Sequence, residues 1–298
     1  MSKWLVGATL VFSGVALGWT TPVNLGAGVN TSSSESDPSP GASGTTLYFS
    51  SNRAGGFGGW DIWQSVYSGG SWLAATNIGG TVNSANLEAE PAWIQSTYPE
   101  LYFSSNRAGG QGSTDLWISW YQSGSWSAPS NLSTVVNTAY GEGEPFPVVI
   151  GGQTRVFFSS NRAGGYGGYD LYMTTYAGGW GTPVNLGAGV NTAAYEYGVA
   201  VTADGLTMYF GSDRSGGYGG YDLYRATYAG GSWGSVQNLG AAVNTAYSEA
   251  HPGVTTDGQK LYFDSDRTGG YGSGDIWVTD NDAAVAPASL GAVKALFR

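Results

Sequence analysis

Short apolar runs separated by glycine-rich turns recur along the chain. Near its end, Glu249 to Thr255 leads into the hairpin signal Thr256-Asp257-Gly258. Leu261 to Ser265 then alternates apolar residues with small or polar ones, and Asp275 to Val278 follows a glycine-rich loop. A fourth run of this kind is Ser232 to Gly240, in the preceding unit. The pattern predicts four short antiparallel strands per unit.

The units repeat. LYFSSNRAGGFGGWDIW from Leu47 recurs as LYFSSNRAGGQGSTDLW from Leu101, VFFSSNRAGGYGGYDLY from Val156, MYFGSDRSGGYGGYDLY from Met208 and LYFDSDRTGGYGSGDIW from Leu261. The period is 52 to 55 residues. Between copies lies a segment of the form NLGxxVNT…E, and a GGSW, GGW or SGSW turn precedes it in four units. Four-stranded units repeated radially predict an all-β, five-bladed β-propeller over residues 19–281. Trp19 to Gly26 reads as a fourth strand with nothing before it, whereas the last unit has three strands and no clear fourth. Thr20 to Leu25 is therefore expected beside Asp275 to Thr279, closing the ring and leaving no free edge.

Composition fits this picture. The chain has 298 residues, with 50 Gly, 12 Trp, 20 Tyr and 10 Phe. That aromatic content argues against disorder, and the glycines supply turns. With 11 basic and 21 acidic residues, and most of the arginines spread one per repeat, nucleic acid is not an expected partner. The lack of Cys excludes thiol chemistry and Cys-based zinc sites, and a Ser-His-Asp triad would depend on His251 alone. Residues 1–18 read as a secretory signal peptide: Lys3, an uncharged apolar stretch, then Ala16 and Gly18. The expectation is a secreted or periplasmic monomer with no membrane span in the mature chain and a short tail, 282–298.

The motif TADGLTMYFGSDRSGGYGGYDLY (202–224) resembles the WD-like β-propeller repeat of the TolB type. The resemblance covers about 19–280 and implies a propeller serving as a scaffold for contacts in the bacterial envelope. Peptidoglycan anchoring is not implied, because the tail is too short for the companion domain that would supply it.

Three charges recur in every unit: Glu35, Glu88, Glu142, Glu196 and Glu249; Arg53, Arg107, Arg162, Arg214 and Arg267; Asp61, Asp115, Asp170, Asp222 and Asp275. Fivefold repetition reads as architecture: Arg forks carboxylates, and Asp after a glycine turn accepts loop N–H groups. The five Glu, with Asp37, Glu90 and Glu144 two residues beyond three of them, would suit Ca²⁺ if they met near the axis, but no loop matches a known calcium motif, and no cofactor is expected. Loop aromatics vary between units, and Phe57, Trp60, Tyr166, Tyr169, Tyr218, Tyr221 and Tyr271 are the candidate ligand-binding residues. The expectation is a non-enzymatic scaffold for an envelope or extracellular protein or a glycan. The alternative is a glycoside hydrolase, which needs a pair of acids that break the repeat symmetry. No acid outside the repeat pattern stands alone on the first strands, where such a site would be. His251, at the position of Asp37, Glu90 and Glu144, is the one oddity there.

Overall fold

The computed structural model describes residues 18–282, and the expected signal segment and tail lie almost wholly outside that range. The described chain forms five antiparallel sheets arranged as a five-bladed β-propeller. The first strands of the blades are Glu35–Pro40, Glu88–Ile94, Glu142–Ile150, Glu196–Val201 and Glu249–Val254. The fourth strand is the least regular. It is split in blade 1 into Ser71–Trp72 and Thr76–Asn77, is only two residues long in blades 3 and 5, and runs to seven residues in blade 4, as Ser232–Asn238.

The second strands are apolar on both faces because each blade is covered on both sides. Leu47 and Phe49 pack with Tyr262 and Ile276 of blade 5, while Tyr48 and Ile62 pack with Leu101 and Phe103 of blade 2. The Leu-Tyr-Phe run is thus a strand with two buried faces, and the phenylalanine is fully buried in all five blades. The tryptophan of the GGSW turn reaches across to the preceding blade. Trp126 meets Tyr48, Trp180 meets Tyr102, Trp233 meets Phe157 and Trp72 meets Tyr262, with ring centroids 5.9–6.4 Å apart and edge-on.

The NLGxxVNT segment also has a structural role. Asn83, Asn137, Asn191 and Asn244 are buried, and each amide accepts the N–H and donates to the carbonyl of one third-strand residue in the preceding blade: Ile62, Leu116, Leu171 and Leu223. The amide side chain satisfies a backbone that would otherwise be buried unpaired.

Closure uses the same devices between the two ends of the chain. Val23 pairs with Val278 and Asn24 with Trp277. Trp19 meets Tyr209 of blade 4 at 5.7 Å, the fifth wedge of the set. Asn30 reads Ile276 as its equivalents read theirs. Removal of residues 18–26 would strip blade 5 of its outer strand and the ring of one wedge. A fall in melting temperature of at least about 10 °C is expected by calorimetry, since a buried aromatic alone is worth about 3–5 kcal/mol.

Candidate functional site

The first-strand starts and the loops between second and third strands share one face of the disc. Each glycine loop lies on the next blade, so a Cβ on Gly112 would strike the Tyr140 carbonyl at 1.7 Å and one on Gly219 the Tyr247 carbonyl at 1.8 Å. The repeated aspartates hold these loops. Asp61, Asp115, Asp170, Asp222 and Asp275 each accept two backbone N–H groups, at 2.5–2.6 Å from the residue four before and 3.0–3.4 Å from the residue three before.

The structure brings each repeated arginine onto the glutamate of its own blade. Arg53–Glu35, Arg107–Glu88, Arg162–Glu142, Arg214–Glu196 and Arg267–Glu249 are 2.8–3.1 Å apart. All five glutamates are fully buried. Each guanidinium also donates to the carbonyl of a loop valine and lies over two rings, as Arg162 does over Phe158 and Tyr172. The five glutamates are thus committed to loop and arginine within their own blades.

The axis is lined instead by residues two further on. Asp37, Glu90, Glu144, Gly198 and His251 occupy equivalent places, each at a β-bulge and each with positive φ, 47–58°. The left-handed backbone turns these residues out of the strand alternation. Gly198 is required by space, because a Cβ there would lie 2.7 Å from the His251 Cα. Asp264, on the second strand of blade 5, completes the group at a place occupied by serine in blades 1 to 3 and glycine in blade 4.

His251 ties the cluster together. Its Nδ1 lies 2.7 Å from Asp264 and 3.5 Å from Asp37, and its Nε2 lies 3.2 Å from Glu144. Glu90 makes its hydrogen bonds elsewhere: it accepts the Glu144 backbone N–H at 2.7 Å and the Ser104 hydroxyl. Protonation follows from this placement. Burial pushes the Glu90 carboxyl up to about 7, helped by the nearby Glu144 charge. Burial also raises Asp37, to about 6, against the opposing pull of His251. Glu144 is raised by burial as well. Burial disfavours the charged imidazole, but Asp264, Glu144 and Asp37 outweigh it and hold His251 well above its ordinary value. A cavity of about 30 Å³ lies among Asp37, Glu90, Glu144 and His251, room for a water or two. Donor atoms of Asp37, His251 and Asp264 lie within 4.8 Å of one another and are the set that could hold a cation.

The loop aromatics divide. Phe57, Tyr166, Tyr218 and Tyr271 are 52–54% exposed at the rim. Trp60, Tyr169 and Tyr221 are half-buried nearer the axis. Tyr169 and Tyr221 join Tyr197, at centroid distances of 4.7 and 6.0 Å. Gly141 leaves room for the Tyr169 hydroxyl, which a Cβ there would meet at 2.7 Å.

No protein-family model matches the chain, and no curated protein matches it in sequence. Solved structures do match in fold. An α-L-arabinofuranosidase from Lactobacillus brevis superposes with a TM-score of 0.57 at 13% identity, covering 86% of this chain and 92% of that one. A Bacillus subtilis arabinanase gives 0.60 at 12%, covering 88% and 96%. TolB from Acinetobacter baumannii gives 0.51 at 15%, covering 82% of this chain and 52% of that one. The β-propeller is what this chain shares with these structures, and the TolB type is not singled out among them.

Two expectations are corrected here. The non-enzymatic scaffold gives way because most of the similar structures are glycoside hydrolases on this fold. The supposed lack of symmetry-breaking acids on the first strands gives way because Asp37, Glu90 and Glu144 are such acids. They line the axis, whereas the repeated glutamates beside them are held by the arginines of their own blades.

Proposed function

We propose that this protein is a secreted or periplasmic glycoside hydrolase whose chemistry is carried by the axial carboxylates, with Glu90 as general acid and Asp37 as general base. The observation that carries the reading is geometric: three carboxylates that break the fivefold repeat, Asp37, Glu90 and Glu144, converge with His251 on one small axial cavity. Burial raises both Glu90 and Asp37, and the His251 ion pair that opposes the rise at Asp37 favours Asp37 as the base and Glu90 as the acid.

In this mechanism Glu90 gives its proton to the glycosidic oxygen as the C–O bond breaks. A water in the axial cavity adds to the anomeric carbon and passes a proton to Asp37. One water is consumed, and proton exchange with solvent restores both carboxyls. Burial, helped by the Glu144 charge, favours the protonated Glu90, and His251 pulls Asp37 and Glu144 back toward their ionised forms against burial. The sugar sits above the cavity, at the mouth on the loop face, since the cavity is too small for a ring. The glycan is the partner in this reading, and the TolB-like repeat signature belongs to the frame that carries the site.

The test is release of reducing sugar from arabinan and xylan, and of nitrophenol from 4-nitrophenyl arabinofuranoside and xyloside. Turnover on at least one is expected, and none on any between pH 5 and 8 overturns the proposal. The pH profile is a second check. Asp37 must be ionised, so kcat/KM falls as pH drops through about 6; Glu90 must be protonated, so it falls again as pH rises through about 7. The expected curve is a narrow bell between those values.

A further inference from the structure

Blade 4 departs from the others at three places around its repeated Glu196. Where blades 1, 2, 3 and 5 have Ser34, Leu87, Gly141 and Ser248, blade 4 has Tyr195. Where they have Ser36, Ala89, Gly143 and Ala250, it has Tyr197. Where they have Asp37, Glu90, Glu144 and His251, it has Gly198. One blade has exchanged its axial polar group for two aromatic rings.

Tyr195 and Tyr197 are two residues apart and lie on the same side, with planes 2° apart and centroids 5.9 Å apart. Tyr169 of blade 3 stacks on both, at 6.2 and 4.7 Å. Tyr221 meets Tyr197 edge-on at 6.0 Å. Gly168 makes room for this arrangement, because a Cβ there would lie 2.6 Å from the Tyr195 ring. The cluster runs from solvent to the acids: Tyr195 is 41% exposed, while burial and the charges of Glu144 and Glu90 push the Tyr197 hydroxyl far above its ordinary value.

We infer that Tyr169, Tyr195, Tyr197 and Tyr221 form a one-sided wall on which a sugar ring stacks beside Glu90 and Glu144, so that the glycan enters the mouth along blades 3 and 4. The inference rests on the hydrolase reading for the sense of "beside the acids", but binding to the wall is measurable without turnover. Flat rings offer faces to the C–H side of a sugar, and the hydroxyls offer donors to its oxygens. None of the residues at the Tyr195 and Tyr197 places of the other blades is aromatic, so Trp60 of blade 1, the equivalent of Tyr169 and Tyr221, faces the wall as a single ring.

The experiment is calorimetric titration of arabinotriose, xylotriose and cellotriose into the whole protein carrying Glu90→Gln, alone and combined with Tyr195→Ala, Tyr195→Phe or Tyr98→Ala. Tyr98 is a half-exposed ring on the hairpin side of blade 2 and serves as the control. At least one trisaccharide is expected to bind, with affinity reduced about tenfold by Tyr195→Ala, held within about twofold by Tyr195→Phe, and unchanged by Tyr98→Ala. In the active protein, Tyr195→Ala is expected to raise KM by a similar factor with kcat nearly constant. Equal affinity with and without Tyr195→Ala, or no heat from any trisaccharide, overturns the wall. Binding without turnover overturns the hydrolase and leaves the wall standing. Turnover with unchanged KM in Tyr195→Ala does the reverse.

Discussion

Glu90→Gln is expected to lower kcat by about 10²–10⁴-fold on any glycoside the protein hydrolyses, the usual worth of a positioned general acid. The loss should be least for substrates with acidic leaving groups, which need little protonation, so nitrophenyl glycosides should retain more rate than polysaccharides. The same change is expected to stabilise the fold above neutral pH. A carboxyl raised from its ordinary value to about 7 favours the folded state while protonated, below about pH 4.5. That advantage is lost as pH rises through about 7, at a cost of about 3 kcal/mol once the buried group is ionised. Glutamine never ionises and avoids that cost, so the variant should melt higher than the parent at pH 8 and nearly the same at pH 4. An unchanged rate, or a variant that melts lower at pH 8, would remove Glu90 from this role.

Arg162→Ala is the second large effect. It leaves Glu142 fully buried with its Thr138 and Ser160 partners but without its cation. Breaking a buried pair in this way costs about 3–5 kcal/mol, here roughly 10 °C in melting temperature. The guanidinium also lies over Phe158 and Tyr172 at 5.2 and 4.9 Å, so Arg162→Lys should recover only part of the loss. Calorimetry on the two variants separates charge from stacking, and equal melting temperatures for parent and alanine variant would show the pair to be dispensable.

The fold was legible in the sequence because every repeat carries it. The Leu-Tyr-Phe run, the arginine, the aspartate and the turn tryptophan recur in register, and Trp19 to Gly26 has the look of a strand lacking its blade. The site was less legible for the same reason. Attention to what repeats favours Glu35 and its equivalents, which are bound within their own blades. The axial groups lie two residues later, where Asp37, Glu90, Glu144, Gly198 and His251 differ from one another. Variation against a constant neighbour was the available signal. What could not be read from spacing was the β-bulge. Simple alternation puts positions 35 and 37 on the same side of the strand, and only the positive φ at 37, 90, 144, 198 and 251 sends those residues to the axis while the glutamates stay within the blades. Tyr195 and Tyr197 were hidden likewise, since an aromatic pair in a chain with 20 tyrosines attracts no notice until it is compared place by place.

The junction of the two ends sets a schedule for biosynthesis. Val23 finds Val278 only after some 250 residues have been made. Until then the first segment has no partner, and each newly finished blade shows an apolar flank to its surroundings. Non-local pairing of this span slows folding, and the waiting intermediate is the species most open to misassembly and proteolysis. Synthesis that ends within the last blade would therefore leave a product with four sheets and no stable ring.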